Sequence, residues 1–240
     1  MTDILFEYDH MLIRSEYRTP DMHSHLAVHL VIALDGKLNV VVEDKEFQAD
    51  AVFIDSDVNH TIYADKGEML VYLFDSTTRY ATEIHSKYLK DSSFLSLSPD
   101  IARELQNIWK NCYGNLKEAD IKMLSFLELT KTEYDNVDFR IKTVLETIKE
   151  LPEIPGDLVP FLCDKVNLSK SRLSHLFKES MGISMHRYLA LDKMKKGFLY
   201  YMKKQNITDA AMKAGFDSPS HFASTCKRMF GLSFSEFIKS

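Results

Sequence analysis

Four histidines are spaced as a ligand site would be. In MHSHLAVHLVIALDG, His23, His25 and His29 share one parity, so on a strand all three rings face the same side. His60 ends the segment DSDVNH and could approach from a facing strand. Imidazole nitrogens converging on one point can hold a divalent ion at ~2.0–2.2 Å. The residue types do not choose among Zn, Fe, Mn, Ni and Cu. As inward polar groups, the same four could instead bond a small organic effector or one another. They define a ligand pocket first and a metal site second.

A second constellation lies at the other end. The stretch MKAGFDSPSHFASTCKRMFG, residues 212–231, breaks a helical pattern and resumes it. Gly215 can take the positive φ that closes a helix, Ser218 can cap the next one, and Pro219 suits its first position. Phe222, Cys226, Met229 and Phe230 then recur as one apolar stripe. NLSKSRLSHLFKESMG, residues 167–182, repeats the arrangement. Ser169 matches Ser218, Leu173 matches Phe222, Phe177 matches Cys226, Lys178 matches Lys227 and Gly182 matches Gly231, all at an offset of 49. A helix from about 157 to 166, with Leu158, Phe161, Leu162 and Val166 on one face, precedes the first copy, and its counterpart runs from about 207 to 214. The repeating unit is helix, turn, helix.

The spacer GISMHRYLALDKMKKGFLYYMKK reads as one helix of roughly 20 residues, which spans ~30 Å. Successive major grooves on one side of B-DNA lie ~34 Å apart. At 100° per residue, Ser171, His175 and Lys178 face outward from the first reading helix, flanked by Arg172 and Ser174. Ser220, Ser224 and Lys227 face outward from the second, flanked by His221. The early positions of such helices reach base edges, and Lys or Arg further along meet phosphates. Ser171, Ser174 and His175 are thus assigned to base contact, and Lys170, Arg172 and Lys178 to backbone or mixed contact. Arg172 can fork onto a guanine.

SKSRLSHLFKESMGIS followed by GFDSPSHFASTCKRMFGLS resembles the AraC/XylS family of bacterial transcription regulators over the last hundred or so residues. The resemblance implies a seven-helix domain whose two helix-turn-helix units bind one face of DNA. Cys226 stands where the family usually has Phe, Lys193 where Arg is usual, Gly197 where Ala is usual, and Phe234 where Pro is common; these departures are expected to thin the core. The spacing H-x-H-x3-H-x6-G resembles the first cupin motif, with His29 where many cupins carry Glu. DSDVNH is a weaker match to the second.

The elements needed to position both sites are legible. Residues 1–135 hold 13 Lys+Arg against 24 Asp+Glu, and residues 136–240 hold 17 against 11, so the basic half is the one with the repeat. From about Met11 to Phe74, short β-branched runs alternate with the turn signals DG, EDKE and DKG. A helical stretch follows, in which Ile101, Leu105, Ile108 and Trp109 are a candidate dimer surface; packing within the chain would give the same stripe. Cys112, Cys163 and Cys226 are scattered singly, as small buried thiols rather than metal ligands. No apolar run reaches membrane-spanning length and no leader is evident, which predicts a cytoplasmic protein with no membrane partner.

The reading is an α+β chain. A cupin-like β-barrel fills residues 1–77, a helical linker 78–135, and an all-α DNA-binding domain with two helix-turn-helix units 136–240. Its expected partners are double-stranded DNA, a small-molecule or metal effector, a second copy as homodimer, and RNA polymerase if it is an activator. No catalytic residue is assigned; the alternative is a metal-dependent cupin enzyme with an accessory helical domain.

Overall fold

A computed structural model describes residues 3–7, 9–15, 22–24, 26–76, 78–129, 137–151, 154–155, 158–181, 183–204, 206–230 and 234, without the side chains of 202, 229 and 230. The chain divides into two compact units, Met1–Lys131 together with Cys226–Ser240, and Thr132–Thr225.

Among the described residues, nine strands form the first unit's two sheets: β1 (Asp3–Phe6), β2 (His10–Ser15), β3 (Ala27–Ala33), β4 (Leu38–Val42), β5 (Lys45–Ala49), β6 (Ala51–Ile54), β7 (His60–Ala64), β8 (Met69–Asp75) and β9 (Phe94–Ser96). The larger sheet has the order β1-β2-β8-β3-β6-β9 and the smaller β5-β4-β7, with every pairing antiparallel. The turn signals fall where the sequence placed them. Gly36 at φ 70°, Glu43 at φ 54° and Gly67 at φ 73° close the hairpins β3–β4, β4–β5 and β7–β8.

Strand β3 is buried along its whole length, and its alternation serves two cores. Val31 and Ala33 meet Leu38, Val40 and Val42 of β4 between the sheets. Val28, Leu30 and Ile32 face the helices α1 (Arg79–Ile84), α2 (Pro99–Asn111) and α3 (Leu116–Phe126), meeting Ile84, Leu105 and Met123 there. A π-helical turn over His85–Leu89 follows α1. The helical linker expected from residue 78 onward also contains β9, which adds an edge strand beside β6. Its three residues are too few for any periodicity to announce them.

The apolar stripe offered as a dimer surface lies on α2. Leu105 is fully buried, and Ile101, Ile108 and Trp109 pack half-buried against the same core, so the stripe is occupied within the chain.

The second unit holds α4 (Phe139–Glu150), α5 (Leu158–Lys165), α6 (Lys170–Met181), α7 (Met185–Lys204), α8 (Ile207–Lys213) and most of α9 (Pro219–Phe230). A seventh helix of the C-terminal region would fall on residues largely outside those described. On α5, Leu158, Leu162, Cys163 and Val166 are buried, but Phe161 is 52% exposed, against expectation. Cys163 draws the buried arc to the far side of Leu162, which leaves Phe161 outside it, under the Lys165 ammonium at 5.9 Å.

The departures at Gly197 and Lys193 are fitted by their neighbours. A Cβ at Gly197 would lie 2.6 Å from the Phe222 ring, so the missing methyl of α7 is the space that Phe222 fills. Lys193 Nζ donates to the Gly215 carbonyl at 2.8 Å, and Lys196 Nζ to the Ile148 carbonyl at 3.1 Å. Helix α7 is thereby tied to the turn before α9 and to the end of α4. Phe234 is fully buried, as is Cys226, so neither position is vacant of packing.

Candidate nucleic-acid interface and histidine pocket

The two reading helices are built alike. Ser169 Oγ accepts from the Arg172 amide at 3.3 Å, and Ser218 Oγ from the His221 amide at 3.1 Å, so each serine caps its helix as expected. The buried positions correspond at offset 49: Leu173, Leu176 and Phe177 on α6, and Phe222, Thr225 and Cys226 on α9.

The preceding helices correspond at a different offset. Leu162, Cys163 and Val166 before the first reading helix match Ala210, Ala211 and Ala214 before the second, all buried, 48 residues apart. The helix-ending bonds agree: Leu168 N–H donates to the Cys163 carbonyl, and Phe216 N–H to the Ala211 carbonyl, both at 3.0 Å. Asn167 at φ 51° and Gly215 at φ 82° occupy the same left-handed position. The single period of 49 is therefore corrected: the second turn has one residue more, Asp217. Gly215 is required there, because a Cβ would stand 2.7 Å from the Ile154 carbonyl oxygen.

On α6, Lys170, Ser171, Arg172, His175 and Lys178 are exposed, and Ser174 is half-buried. On α9, Ser220, His221, Ser224 and Lys227 are exposed. All ten side chains assigned to DNA thus lie at least partly on the surface. Ser224 is less free than it looked, since its hydroxyl donates to the His221 carbonyl at 3.1 Å. The Arg172 charge helps to hold the Asp138 carboxyl down at about 2, after the larger effect of Arg140, which donates to the same carboxylate. Connecting helix α7 has 20 residues, capped by Ser184 Oγ accepting from the Arg187 amide at 3.2 Å.

The histidines converge by a route other than strand parity. Strand β3 begins at Ala27, so His29 lies on it and His23 does not. His23 instead pairs with His60 through two backbone hydrogen bonds of 3.0 and 2.9 Å. The rings of His23 and His29 each lie 4.7 Å from that of His60. His29 shares the parity of Val31 and Ala33, and so faces the space between the sheets. His25 falls outside the described residues.

His60 Nδ1 lies 2.8 Å from the Val58 carbonyl, so Nδ1 carries the proton and Nε2 is the acceptor nitrogen. Burial and the neighbouring His23 push its pKa down to about 4, against the upward pull of the Val58 bond, so the ring is neutral near pH 7. A neutral imidazole oriented through its other nitrogen is the form that binds metals or accepts hydrogen bonds. Among the described residues, no group of three His, Cys, Asp or Glu side chains is placed to hold a metal ion. What is built is a cluster of three imidazoles, His23, His29 and His60, where the two sheets meet.

Known proteins resemble the chain in part or in fold. Residues 162–240 match the family model for a helix-turn-helix domain. Over these residues the chain is a helix-turn-helix domain. A transcriptional regulator of Neisseria gonorrhoeae, MtrA, is 25% identical to this chain over 103 residues, 42% of this chain and 34% of that protein. An uncharacterized helix-turn-helix regulator of Haemophilus influenzae is 26% identical over 104 residues, 43% and 35% of the two lengths. The match thus spans about a third of these curated relatives. The crystal structure of an apo ToxT point variant from Vibrio cholerae covers 98% of both chains at 13% identity with a TM-score of 0.51. That is a likeness of fold: a sheet-rich N-terminal part followed by helices. An RmlC-like cupin from Shewanella frigidimarina aligns with 31% of this chain and 74% of its own at 16% identity, with a TM-score of 0.28. Among the described residues, no helix is long and apolar enough to cross a membrane.

Proposed function

We propose that the chain is a sequence-specific transcription regulator, in which α6 and α9 enter adjacent major grooves and the histidine cluster senses an effector. One observation carries this reading. Two capped helix-turn-helix units, with polar or basic outer faces, are joined by a helix of 20 residues, ~30 Å long. That length suits two reading heads about one duplex turn apart. Base contacts come from Ser171, Ser174 and His175 and from the early residues of α9, while Lys170, Arg172, Lys178 and Lys227 meet the backbone or share both roles.

The cluster takes a divalent metal or a small polar organic molecule. In either case His60 contributes a neutral ring, and the effector changes how two copies of the chain engage DNA. RNA polymerase is a further partner where the outcome is activation, and the site of action is the cytoplasm.

The test is a footprint of the full chain on duplex DNA from its own upstream region, at about 50 and 200 mM salt. Two protected patches one helical turn apart, with affinity falling steeply as salt rises, support the reading. Uniform, sequence-blind affinity sinks it.

A second reading, a metal-dependent cupin enzyme, is favoured only by the His23, His29 and His60 cluster. Metal analysis of the purified protein and of His60→Ala separates the two. An ion lost together with the DNA response supports sensing, whereas an ion lost with that response unchanged supports the enzyme.

A further inference from the structure

The two helix-turn-helix units differ in length by one residue, and that residue meets a side chain of the reading helix. From left-handed residue to cap, the first turn runs Asn167-Leu168-Ser169, and the second Gly215-Phe216-Asp217-Ser218. Asp217 is the addition. Its Oδ2 lies 3.1 Å from Nδ1 of His221, the third residue of α9. His221 occupies the register that Arg172 holds on α6.

His221 is half exposed yet held from three directions. Its amide donates to Ser218 Oγ. The buried Phe216 ring meets it edge to face, with centroids 5.5 Å apart and planes at 87°. A carboxylate can only accept, so the contact with Asp217 places the ring proton on Nδ1. In the neutral form of the ring, Nε2 then carries the lone pair and can accept. Its rivals on this helix are poorer readers: Ser220 is short, and the Ser224 hydroxyl is already engaged with the His221 carbonyl.

Building on the DNA-reading role proposed above, we infer that His221 is the base reader of the second unit and Asp217 its positioning residue, selecting a base that offers an amino group in the major groove. Adenine N6 and cytosine N4 are the two such groups. Arg172, a fork of donors with no acceptor, reads the opposite polarity and suits guanine. The duplicated units would therefore recognise complementary hydrogen-bond patterns, one taking acceptors and the other donors.

The experiment is selection of duplexes from a random-sequence pool by the full chain, with Asp217→Ala, Asp217→Asn and His221→Ala in parallel. Both side chains lie on the surface, Asp217 almost entirely, so the variants retain the fold. The wild type should enrich a two-part motif in which one position of the second part is restricted to adenine or cytosine. His221→Ala and Asp217→Ala should lose that restriction alone, while Asp217→Asn, whose amide oxygen still accepts from Nδ1, should keep it. At that position, a purine lacking the 6-amino group should weaken wild-type binding roughly fivefold and leave Asp217→Ala unchanged.

A restriction to guanine there, an unchanged motif in both alanine variants, or a loss spread evenly over all positions would each overturn the inference. If the wild type enriches no motif at all, the DNA-reading role itself fails, an outcome distinct from these.

Discussion

His10 Nε2 and Asp120 Oδ1 lie 2.8 Å apart across 110 residues of sequence, joining β2 to α3 inside the core of the first unit. The other ring nitrogen, Nδ1, lies 2.8 Å from Asp9 Oδ1. With a carboxylate at each nitrogen, both are protonated and the ring is a buried imidazolium. Burial by itself would push the His10 pKa down; the bonds and charges of Asp120 and Asp9 outweigh it and raise the value to about 9. Because the folded value lies above the unfolded one of about 6.5, the stabilisation is complete below that pH and is lost as pH rises through about 9. Thermal unfolding of the full chain should show the midpoint falling steadily between pH 7 and pH 9.5. His10→Asn should lower stability by about 3 kcal/mol at pH 6 and flatten that fall. A midpoint of the wild type that is level across this range would contradict the assignment.

Gly197→Ala places a methyl 2.6 Å from the Phe222 ring. Overpacking of this kind costs about 1–3 kcal/mol, read as a lower denaturant midpoint. Adding Phe222→Leu should recover part of the loss, because a narrower side chain vacates the space. Additive losses in the double variant would show that the two positions do not compete.

Ser169→Ala and Ser218→Ala each remove a helix cap whose oxygen accepts one amide. Each should cost about 1 kcal/mol in chemical unfolding. Replacement by Asp, which also caps, should restore stability while weakening DNA binding through its negative charge near the phosphates.

Lys170, Lys178 and Lys227 are exposed on the reading helices. Changing any one to Ala should weaken binding to all sequences alike and reduce the salt slope by about 1. Lys193→Met should leave that slope unaltered, because Lys193 is half-buried and directed at the Gly215 carbonyl. Its effect should appear instead as a less stable second unit.

Much of this could be read from the residues, for a physical reason. Ser218, Pro219 and Gly215 each restrict the backbone locally, and hairpin glycines such as Gly36 do the same, so their structure follows from identity alone. The nearness of His23, His29 and His60 is also legible, but their route to one another is not. Parity assumed an unbroken strand from His23 to His29, whereas β3 begins at Ala27 and His23 arrives by pairing with His60. No local signal encodes that partner. Asp217 was equally hidden, because matches at offset 49 are plentiful in the reading helices and hide the 48-residue spacing of the helices before them. The pairing of His10 with Asp120 depends on tertiary approach over 110 residues, which neither residue announces. The stripe from Ile101 to Trp109 shows the converse: an apolar helical face announces that it will be covered, but not by what.

The extra turn residue also bears on how duplicated modules diverge. Leu162, Cys163 and Val166 keep their counterparts in Ala210, Ala211 and Ala214, so lengthening the corner left the supporting helix in register with its neighbours. Insertions at this corner can re-aim a module without disturbing the scaffold that carries it. A chimera that exchanges the two modules should therefore be joined upstream of each supporting helix, carrying the corner along; a graft of the reading helix alone would inherit the wrong approach.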